Sequence, residues 1–420
     1  MAQPKIPILN LKTQYQGIQQ EIEQTVLNVL RSGNYILGEY VSKLEAQIAE
    51  ICGCKYGIGV ANGTDALVLA VWALDIGPGD EVITAPFTFA ATVEAIALRG
   101  ARPVFVDVDA DSFNIDPKAI EKAITPRTKA IMPVHLYGQP ADMDPIIDLA
   151  DRYGLKVIED NAQAIGALYK GKPTGSFGDV ACISFYPTKN LGAAGDAGML
   201  VTNDEALAER LKSIRAHGMK RRYYHDELGV NSRLDELQAA ILCAKLPHLS
   251  DWNARRQQLA RLFHKYLKGI PGLILPELSI SGMPANTQEI SHVWHQFTVR
   301  LTLRDTSAEA APHLWALASS RPGTLRDIVS EELLQQGIGS MCYYPVPLHV
   351  QTAFADLGYK KGDFPISETL ADEVLSLPMY PELTEEQVIT IANALRTILT
   401  GVEAENVFVP TPAAPISFSV

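Results

Sequence analysis

Two residues whose side chains can do chemistry follow neighbouring predicted strands of the chain. Asp160 ends the apolar run 155–159, and Lys189 lies in the turn after the predicted strand 181–185. Ligands of open α/β sheets bind beyond the carboxyl ends of the strands. A lysine at such a turn can bond covalently to a carbonyl carbon when its amine is partly deprotonated. Taken alone, Asp160 could simply cap a helix or lie at a solvated strand end, and Lys189 could be an ordinary surface lysine.

Taken together, the acid and the lysine match what pyridoxal 5′-phosphate requires. Lys189 would bond to the aldehyde of the cofactor. Asp160 would pair with the pyridine nitrogen and keep it protonated, so that the ring can accept electrons. A helix start and the hydroxyl of Ser184 would hold the phosphate, and an aromatic side chain from residues 86–89 would stack on the ring.

The turn Asn62-Gly63-Thr64 is the candidate helix start. Free N–H groups at a helix start bind phosphate, and glycine lets the backbone approach closely. An ordinary helix cap by Thr64 is the alternative. Gly57 and Gly59 fall inside the predicted strand rather than in the turn, so the dinucleotide fingerprint is discounted.

Short apolar strands alternate with helices over the first 250 residues, which predicts a mostly parallel sheet covered by helices on both faces. The predicted strands are 56–60, 81–84, 103–108, 130–135, 155–159, 181–185 and 198–202. The predicted helices are 12–31, 41–51, 65–74, 90–99, 116–123, 143–153 and 205–216.

After about residue 246 the pattern changes. A long charged helix (252–267), a strand (293–303) and two further helices (325–336 and 385–399) predict a smaller domain. We therefore divide the chain into a large α/β domain with the N-terminal helices (1–250), a C-terminal α+β domain (251–401) and an extended tail (402–420). Residues 307–323 are expected to form a surface insertion.

Composition and charge exclude several classes of protein. The 420 residues are 47% hydrophobic and carry a net charge of −12, which argues against disorder, nucleic-acid binding and attachment to anionic membranes. No secretory signal or membrane-length apolar run is visible. The odd number of cysteines, 5, fits neither a disulfide framework nor a metal site. We expect a cytoplasmic protein with reduced thiols and no metal.

Seven short motifs in a fixed order resemble the DegT/DnrJ/EryC1/StrS family of sugar aminotransferases, which have the fold of type I pyridoxal-phosphate enzymes. The motifs are Ser-Gly-Asn-Tyr-Ile-Leu-Gly (32–38), Ala-Asn-Gly-Thr-Asp-Ala-Leu (61–67), Gly-Asp-Glu-Val-Ile-Thr (79–84), Pro-Val-His-Leu-Tyr-Gly-Gln (133–139), Ile-Glu-Asp-Asn-Ala-Gln-Ala (158–164), Ser-Phe-Tyr-Pro-Thr-Lys-Asn-Leu-Gly (184–192) and Asn-Ser-Arg-Leu-Asp-Glu-Leu-Gln-Ala-Ala (231–240). The resemblance runs from about residue 6 to residue 399.

The resemblance implies a role for individual residues and a homodimer with shared active sites. The implied roles are the covalent lysine and proton shuttle for Lys189, the ring-nitrogen partner for Asp160, a contact near the phenolic oxygen for Gln163, phosphate contacts for Gly63, Thr64 and Ser184, the stacking ring for Phe89, and a phosphate contact in the neighbouring subunit for Asn231.

The same resemblance implies transfer of an amino group from an amino acid, expected to be L-glutamate, to a nucleotide-linked keto-sugar. Relatives that instead remove a sugar hydroxyl have histidine in place of the lysine, so Lys189 favours transamination. Tyr344 and His349 are candidate sugar contacts, with a structural histidine as the alternative for His349. Arg221 in the basic aromatic loop 220–225 is a candidate contact for the diphosphate, with a solvated surface loop as the alternative. A dehydratase and a non-catalytic regulator that binds the cofactor remain alternatives. The sequence fixes neither the keto position, C3 or C4, nor the nucleotide.

Overall fold

The structure, a computed structural model, describes residues 4–278, 291–304 and 306–402. The helices are α1 (Leu11–Gly17), α2 (Gln19–Ser32), α3 (Glu39–Ile51), α4 (Gly63–Ala73), α5 (Ala90–Leu98), α6 (Pro117–Ala123), α7 (Met143–Tyr153), α8 (Glu205–Ile214), α9 (Glu236–Lys245), α10 (Leu249–Leu267), α11 (Pro312–Ala318), α12 (Leu325–Gln335), α13 (Pro365–Glu373) and α14 (Glu385–Thr400).

Strands form one large sheet and three small ones within these residues. The strands are β1 (Tyr56–Val60), β2 (Glu81–Thr84), β3 (Arg102–Phe105), β4 (Thr128–Ile131), β5 (Lys156–Asp160), β6 (Leu168–Tyr169), β7 (Lys172–Pro173), β8 (Val180–Ser184), β9 (Gly198–Thr202), β10 (Met219–Arg221), β11 (Tyr224–His225), β12 (Leu273–Ile274), β13 (Phe297–Leu301) and β14 (Val374–Leu377).

The large sheet has seven strands in the order β1-β9-β8-β5-β4-β2-β3. Strands β3, β2, β4, β5 and β8 pair in parallel, and β9 alone runs antiparallel to both its neighbours. Its strands are short and almost wholly buried, as expected for a sheet covered on both faces. The predicted α/β class with a mostly parallel sheet is confirmed.

The direction of these strands brings the chemistry-bearing turns together. Strands β1, β5 and β8 point the same way, so the segments that follow Val60, Asp160 and Ser184 emerge at one edge of the sheet. The segment after β2, which leads into α5, emerges there as well. This edge is the one at which an open α/β sheet binds ligands.

A second sheet, β12-β13-β14, is antiparallel. It packs with α10, α11, α12 and α14 around a separate apolar core that includes Phe263, Phe297 and Leu395. This core also takes in Ile6 from the N-terminus, whereas Leu370 of α13 packs in a core of the large sheet. Chain segments therefore cross between the two cores, and the predicted domain boundary at residue 250 stays a prediction.

The predicted strands 103–108 and 130–135 end earlier in the structure, at Phe105 and Ile131, and three further local expectations differ from it. The predicted helix 12–31 is interrupted at Ile18, which has non-helical backbone angles and separates α1 from α2. Only residues 297–301 of the predicted strand 293–303 form a strand, β13. The preceding residues leave the strand because Trp294 has a positive φ of 47° and Val293 N donates a hydrogen bond to Gly138 O. The segment 307–323 contains helix α11, whose Leu314 is fully buried in the second core, so it is more than a surface insertion.

The predicted extended tail lies almost entirely outside the described residues, which end at residue 402. In the part of the chain that the structure describes, no helix combines the length and the apolar character needed to cross a membrane. The five cysteines, all of which are described, form no disulfide.

Candidate active site

A cavity of about 610 Å³ opens at the carboxyl edge of the large sheet. Segments of both sheets line it, since Ser376 and Leu377 come from β14. Most of the predicted site residues meet there, namely Gly63, Thr64, Phe89, Asp160, Gln163, Ser184, Lys189 and Tyr344.

Lys189 is held by a tight turn after β8. Its N–H donates to Tyr186 O at 2.9 Å, and Ala193 N donates to Phe185 O at 2.8 Å. A side chain at Gly192 would lie 2.3 Å from Pro187 O, so only glycine allows this close return of the chain.

The surroundings make the Lys189 amine unusually reactive. Enclosure by protein disfavours the ammonium form and lowers the pKa of Lys189 to about 8, although the charge of Asp160 partly opposes the effect. The unprotonated amine is therefore far more populated near neutral pH than it is in an ordinary lysine. That form is the nucleophile and the proton acceptor.

Asp160 is nearly fully buried at the end of β5. Its Oδ2 accepts a hydrogen bond from Thr92 Oγ1 at 2.8 Å, and its Oδ1 accepts one from Ala162 N at 3.2 Å. Burial raises the pKa of Asp160, while the two hydrogen bonds and the positive charge of Lys189 act in the opposite direction. A carboxylate in this position strongly favours a cationic partner in the cavity.

Behind Asp160, the fully buried Glu159 accepts hydrogen bonds from three backbone N–H groups, those of Gly175, Phe177 and Gly178, each at 2.8 Å. His135 Nε2 lies 3.0 Å from the same carboxylate, and His135 Nδ1 accepts from Ala141 N. The proton is therefore assigned to Nε2, which donates to Glu159. Burial raises the pKa of Glu159, but these bonds outweigh it and leave the pKa below its usual value.

The amide of Gln163 has a defined orientation. Its Oε1 accepts from Tyr137 N at 2.6 Å, and its Nε2 donates to the Tyr344 hydroxyl at 3.2 Å. Tyr137 reaches this position through a positive φ of 59°, which is uncommon for a residue other than glycine. Gln163 thus presents N–H groups, rather than its oxygen, to the cavity.

An anion cradle lies at the start of α4. Asn62, not Thr64, caps the helix, since its side chain accepts from Asp65 N at 2.8 Å. Within the described residues the N–H groups of Gly63 and Thr64 have no hydrogen-bond acceptor. A Cβ at Gly63 would lie 2.6 Å from Ser184 Cβ, so only glycine lets the start of α4 pack directly against Ser184. Free N–H groups at a helix start beside a hydroxyl are the donors that bind an anion.

Aromatic side chains form one wall of the cavity. Phe89 is 56% exposed, and its ring centroid lies 6.1 Å from that of Tyr344 at an interplanar angle of 37°. An exposed aromatic face beside a cavity offers a stacking surface for a planar ligand.

Three predicted site residues do not line this cavity. Asn231 and Arg221 are exposed, and the Arg221 guanidinium lies over the ring of Tyr224 at 3.9 Å. His349 is buried with its Nε2 3.0 Å from Glu368 Oε1 and its ring against Phe364. These contacts lie within the chain, and the predicted contact of His349 with the sugar stays a prediction.

Sequence reasoning did not find Thr92, Tyr137 or His295, although each one touches or lines the site. The four-residue spacing of Thr88 and Thr92 at a predicted helix start was the available signal for the threonine. No local pattern indicates that Tyr137 holds a glutamine side chain through its backbone.

Comparison with known proteins agrees with this arrangement. The sequence profile of the DegT/DnrJ/EryC1/StrS aminotransferase family matches residues 16–396. A pleiotropic regulatory protein of Geobacillus stearothermophilus is 50% identical over 91% of this chain and 95% of its own. A UDP-N-acetyl-3-dehydro-alpha-D-glucosamine 3-aminotransferase of Acidithiobacillus ferrooxidans is 47% identical over 94% and 98%, respectively.

The solved structure of DesV from S. venezuelae, in complex with a ketimine intermediate, superposes with a TM-score of 0.84. It is 42% identical, and the match covers 94% of this chain and 98% of that one. Because the family profile spans nearly the whole chain and the site residues meet in one cavity, this chain belongs to the DegT/DnrJ/EryC1/StrS aminotransferase family.

Proposed function

We propose that this protein is a pyridoxal-phosphate-dependent aminotransferase that transfers an amino group from L-glutamate to a nucleotide-linked keto-sugar. The observation that carries the proposal is the joint placement of Lys189 and Asp160 on one cavity. A lysine with a pKa of about 8 and a buried carboxylate are the two groups that this chemistry needs from a protein.

The remaining residues fit the cofactor. The free N–H groups of Gly63 and Thr64 and the hydroxyl of Ser184 are donors for its phosphate, and glycine at position 63 allows the helix start to pack closely against Ser184. The amide N–H groups of Gln163 suit its phenolic oxygen, and Phe89 provides a surface for its ring. When bound, pyridoxal phosphate supplies an aldehyde that takes up the amino group and a ring that stabilises negative charge at the adjacent carbon.

The chain's own residues then hold and move protons. Asp160 keeps the ring nitrogen protonated because a buried carboxylate is stabilised by a cationic partner. Lys189 lines the same cavity, and its Nζ would hold the cofactor and act as the group that takes the proton from Cα of the amino acid. Its pKa near the working pH allows both uptake and return of that proton.

We place the keto group of the sugar at C3. The printed name of the Acidithiobacillus relative puts the amino group at C3 of a UDP-linked sugar.

Tyr344, Gln296 and His295 line the cavity and offer polar atoms for sugar hydroxyls. Asn190 Oδ1 accepts from His295 Nδ1, since Asn190 Nδ2 already donates to Asn253 and Val293, so His295 has Nε2 left as an acceptor.

We further propose a homodimer in which Asn231 and Arg221 serve the partner's site. Neither lines the cavity of its own chain. Both belong to a surface segment with unusually exposed apolar side chains, since Tyr223 is 76% and Leu228 is 84% exposed. An exposed apolar surface beside charged residues is typical of an interface between protein chains.

A non-catalytic regulator is the second candidate, because the Geobacillus relative carries a regulatory name. A regulator would bind the cofactor without needing a reactive amine. The lowered pKa of Lys189 favours turnover, and the net charge of −12 opposes direct binding to nucleic acid.

The test uses purified protein loaded with pyridoxal phosphate. L-Glutamate is supplied together with UDP- or dTDP-linked 3-keto-sugars, or with 4-keto-sugars, and the amino-sugar and 2-oxoglutarate are quantified by mass spectrometry. We expect equal amounts of both products with a 3-keto-sugar and none with Lys189→Ala. A dehydrated sugar without 2-oxoglutarate would identify a dehydratase, and cofactor binding without any turnover would favour the regulator.

A further inference from the structure

Two buried threonines lie beside Asp160, and neither has yet been assigned a role in the proposed reaction. Thr88 precedes α5 and Thr92 lies in its first turn; their exposed fractions are only 2% and 1%. Thr92 Oγ1 lies 2.8 Å from Asp160 Oδ2, and Thr88 Oγ1 lies 3.1 Å from Thr92 Oγ1. The two hydroxyls and the carboxylate therefore form a continuous buried chain.

The chemistry of the groups sets the direction of this chain. An ionised carboxylate only accepts hydrogen bonds, so Thr92 donates its single hydroxyl proton to Asp160. The Thr92 oxygen is then left as an acceptor, and Thr88 must donate to it. Each donation polarises the next hydroxyl, so Thr88 strengthens the bond from Thr92 to Asp160.

The second carboxylate oxygen is held separately by Ala162 N at 3.2 Å. With one oxygen bonded to the helix α5 and the other to the turn after β5, rotation of the carboxylate is restricted. Burial alone would favour a neutral carboxyl group, and hydrogen bonds donated to the ionised form oppose this tendency.

We propose that Thr92, supported by Thr88, is a positioning residue that keeps Asp160 ionised and fixes its carboxylate plane toward the ring nitrogen of the cofactor. This inference rests on the proposed function, because it presumes that a pyridine ring occupies the cavity. Without Thr92 the shared proton would move from the ring nitrogen toward Asp160, and the ring would stabilise negative charge less well.

The test measures the proton directly rather than turnover. Wild-type protein and the variants are loaded with pyridoxal phosphate that is isotope-labelled at the ring nitrogen, and the nitrogen chemical shift is recorded by NMR. Thr92→Val keeps the shape of the side chain and removes the donor. Because a hydrogen bond to a charged group is involved, we expect the proton equilibrium to shift about tenfold toward Asp160.

Matched variants separate this role from a packing effect. Thr92→Ser retains the hydroxyl and is expected to keep the wild-type nitrogen chemical shift. Thr88→Val should move that chemical shift in the same direction as Thr92→Val, but by less. Thr390→Val, on the exposed face of α14, reports the effect of the same substitution away from the site. The inference would be overturned if both Thr92→Val and Thr88→Val had the wild-type nitrogen chemical shift. If Thr92→Val does not fold, the chemical shift of Thr88→Val alone tests the inference.

The outcome for the wild type tests the proposed function independently. If the wild-type protein binds no cofactor, the proposed function fails and the inference falls with it. If the wild type binds the cofactor with a protonated ring nitrogen and the variants do not differ from it, only the role of the threonines is refuted.

Discussion

Gly63→Ala is the substitution whose effect follows most directly from the geometry of the anion cradle. The added methyl carbon would lie 2.6 Å from Ser184 Cβ and 3.0 Å from Ser184 Oγ. Carbon atoms in contact are separated by about 3.5–4.0 Å, so Ser184 or the start of α4 must move by about 1 Å. Such a movement misaligns the N–H and hydroxyl donors that we assign to the phosphate.

The expected loss can be estimated from those donors. A hydrogen bond to a charged group contributes about 1.5–3 kcal/mol, so loss of one such bond raises the Kd for pyridoxal phosphate about 10- to 100-fold. Overpacking at this site should also cost about 1–3 kcal/mol of folding free energy. Both quantities are measurable, by equilibrium titration of cofactor-free protein and by urea unfolding.

Two controls make the result specific to the phosphate. Gly17→Ala adds a methyl group with no atom within 4 Å and should leave cofactor affinity unchanged. Pyridoxal, which lacks the phosphate, should bind Gly63→Ala about as well as it binds the wild type. Wild-type affinity of Gly63→Ala for pyridoxal phosphate, or an equal loss of affinity for pyridoxal, would refute the assignment of the cradle.

Three further predictions concern buried charges. The rate at which cofactor-free protein bonds to pyridoxal phosphate should rise with pH with a midpoint near 8, because the reactive form of Lys189 is the unprotonated amine. Stopped-flow absorbance measures this rate, and a midpoint near the usual lysine value would contradict the prediction. Glu159→Gln should lower the free energy of unfolding in urea by about 1–3 kcal/mol, unlike Glu94→Gln on the exposed face of α5. The pKa of Glu159 is lower in the folded protein than in the unfolded chain. The stability that ionised Glu159 contributes is therefore present above the unfolded pKa and is lost as the pH falls toward the folded pKa. A stability difference between wild type and Glu159→Gln that did not change with pH would contradict this prediction. Lys245→Met should lower the free energy of unfolding by about 1–3 kcal/mol. The buried Nζ of Lys245 donates to Gly192 O at 2.7 Å, in the turn that carries Lys189. An unchanged free energy of unfolding in urea would show that this hydrogen bond does not stabilise the fold.

Much of the large sheet could be predicted because its signals are local. Strands 56–60, 81–84 and 198–202 and helix 143–153 have the predicted bounds, since each is an apolar or amphipathic run with glycine, proline or polar residues within two positions of its ends. The break at Ile18 could not be foreseen, because the helical pattern continues through it. The burial of Leu314 depends on packing against α14, which no local pattern in 307–323 reveals.

The residues of the site also differ in whether the local sequence predicts them. Asp160 and Lys189 stand out because of residue type and position after a strand, and the resemblance to a known family adds roles for their neighbours. Thr92 contacts Asp160 across 68 positions of the chain, so the contact exists only once the sheet is formed. The orientation of Gln163 depends on the unusual backbone of Tyr137, which a sequence pattern does not encode.

The most direct test of the central claim is the absorbance spectrum of the purified protein with pyridoxal phosphate, recorded before and after L-glutamate is added. The account predicts a visible band from the lysine-bound cofactor in the wild type, its loss on addition of glutamate, and no such band in Lys189→Ala. Absence of the band in the wild type, or the same band in Lys189→Ala, would contradict the assignment of Lys189 and with it the proposed chemistry.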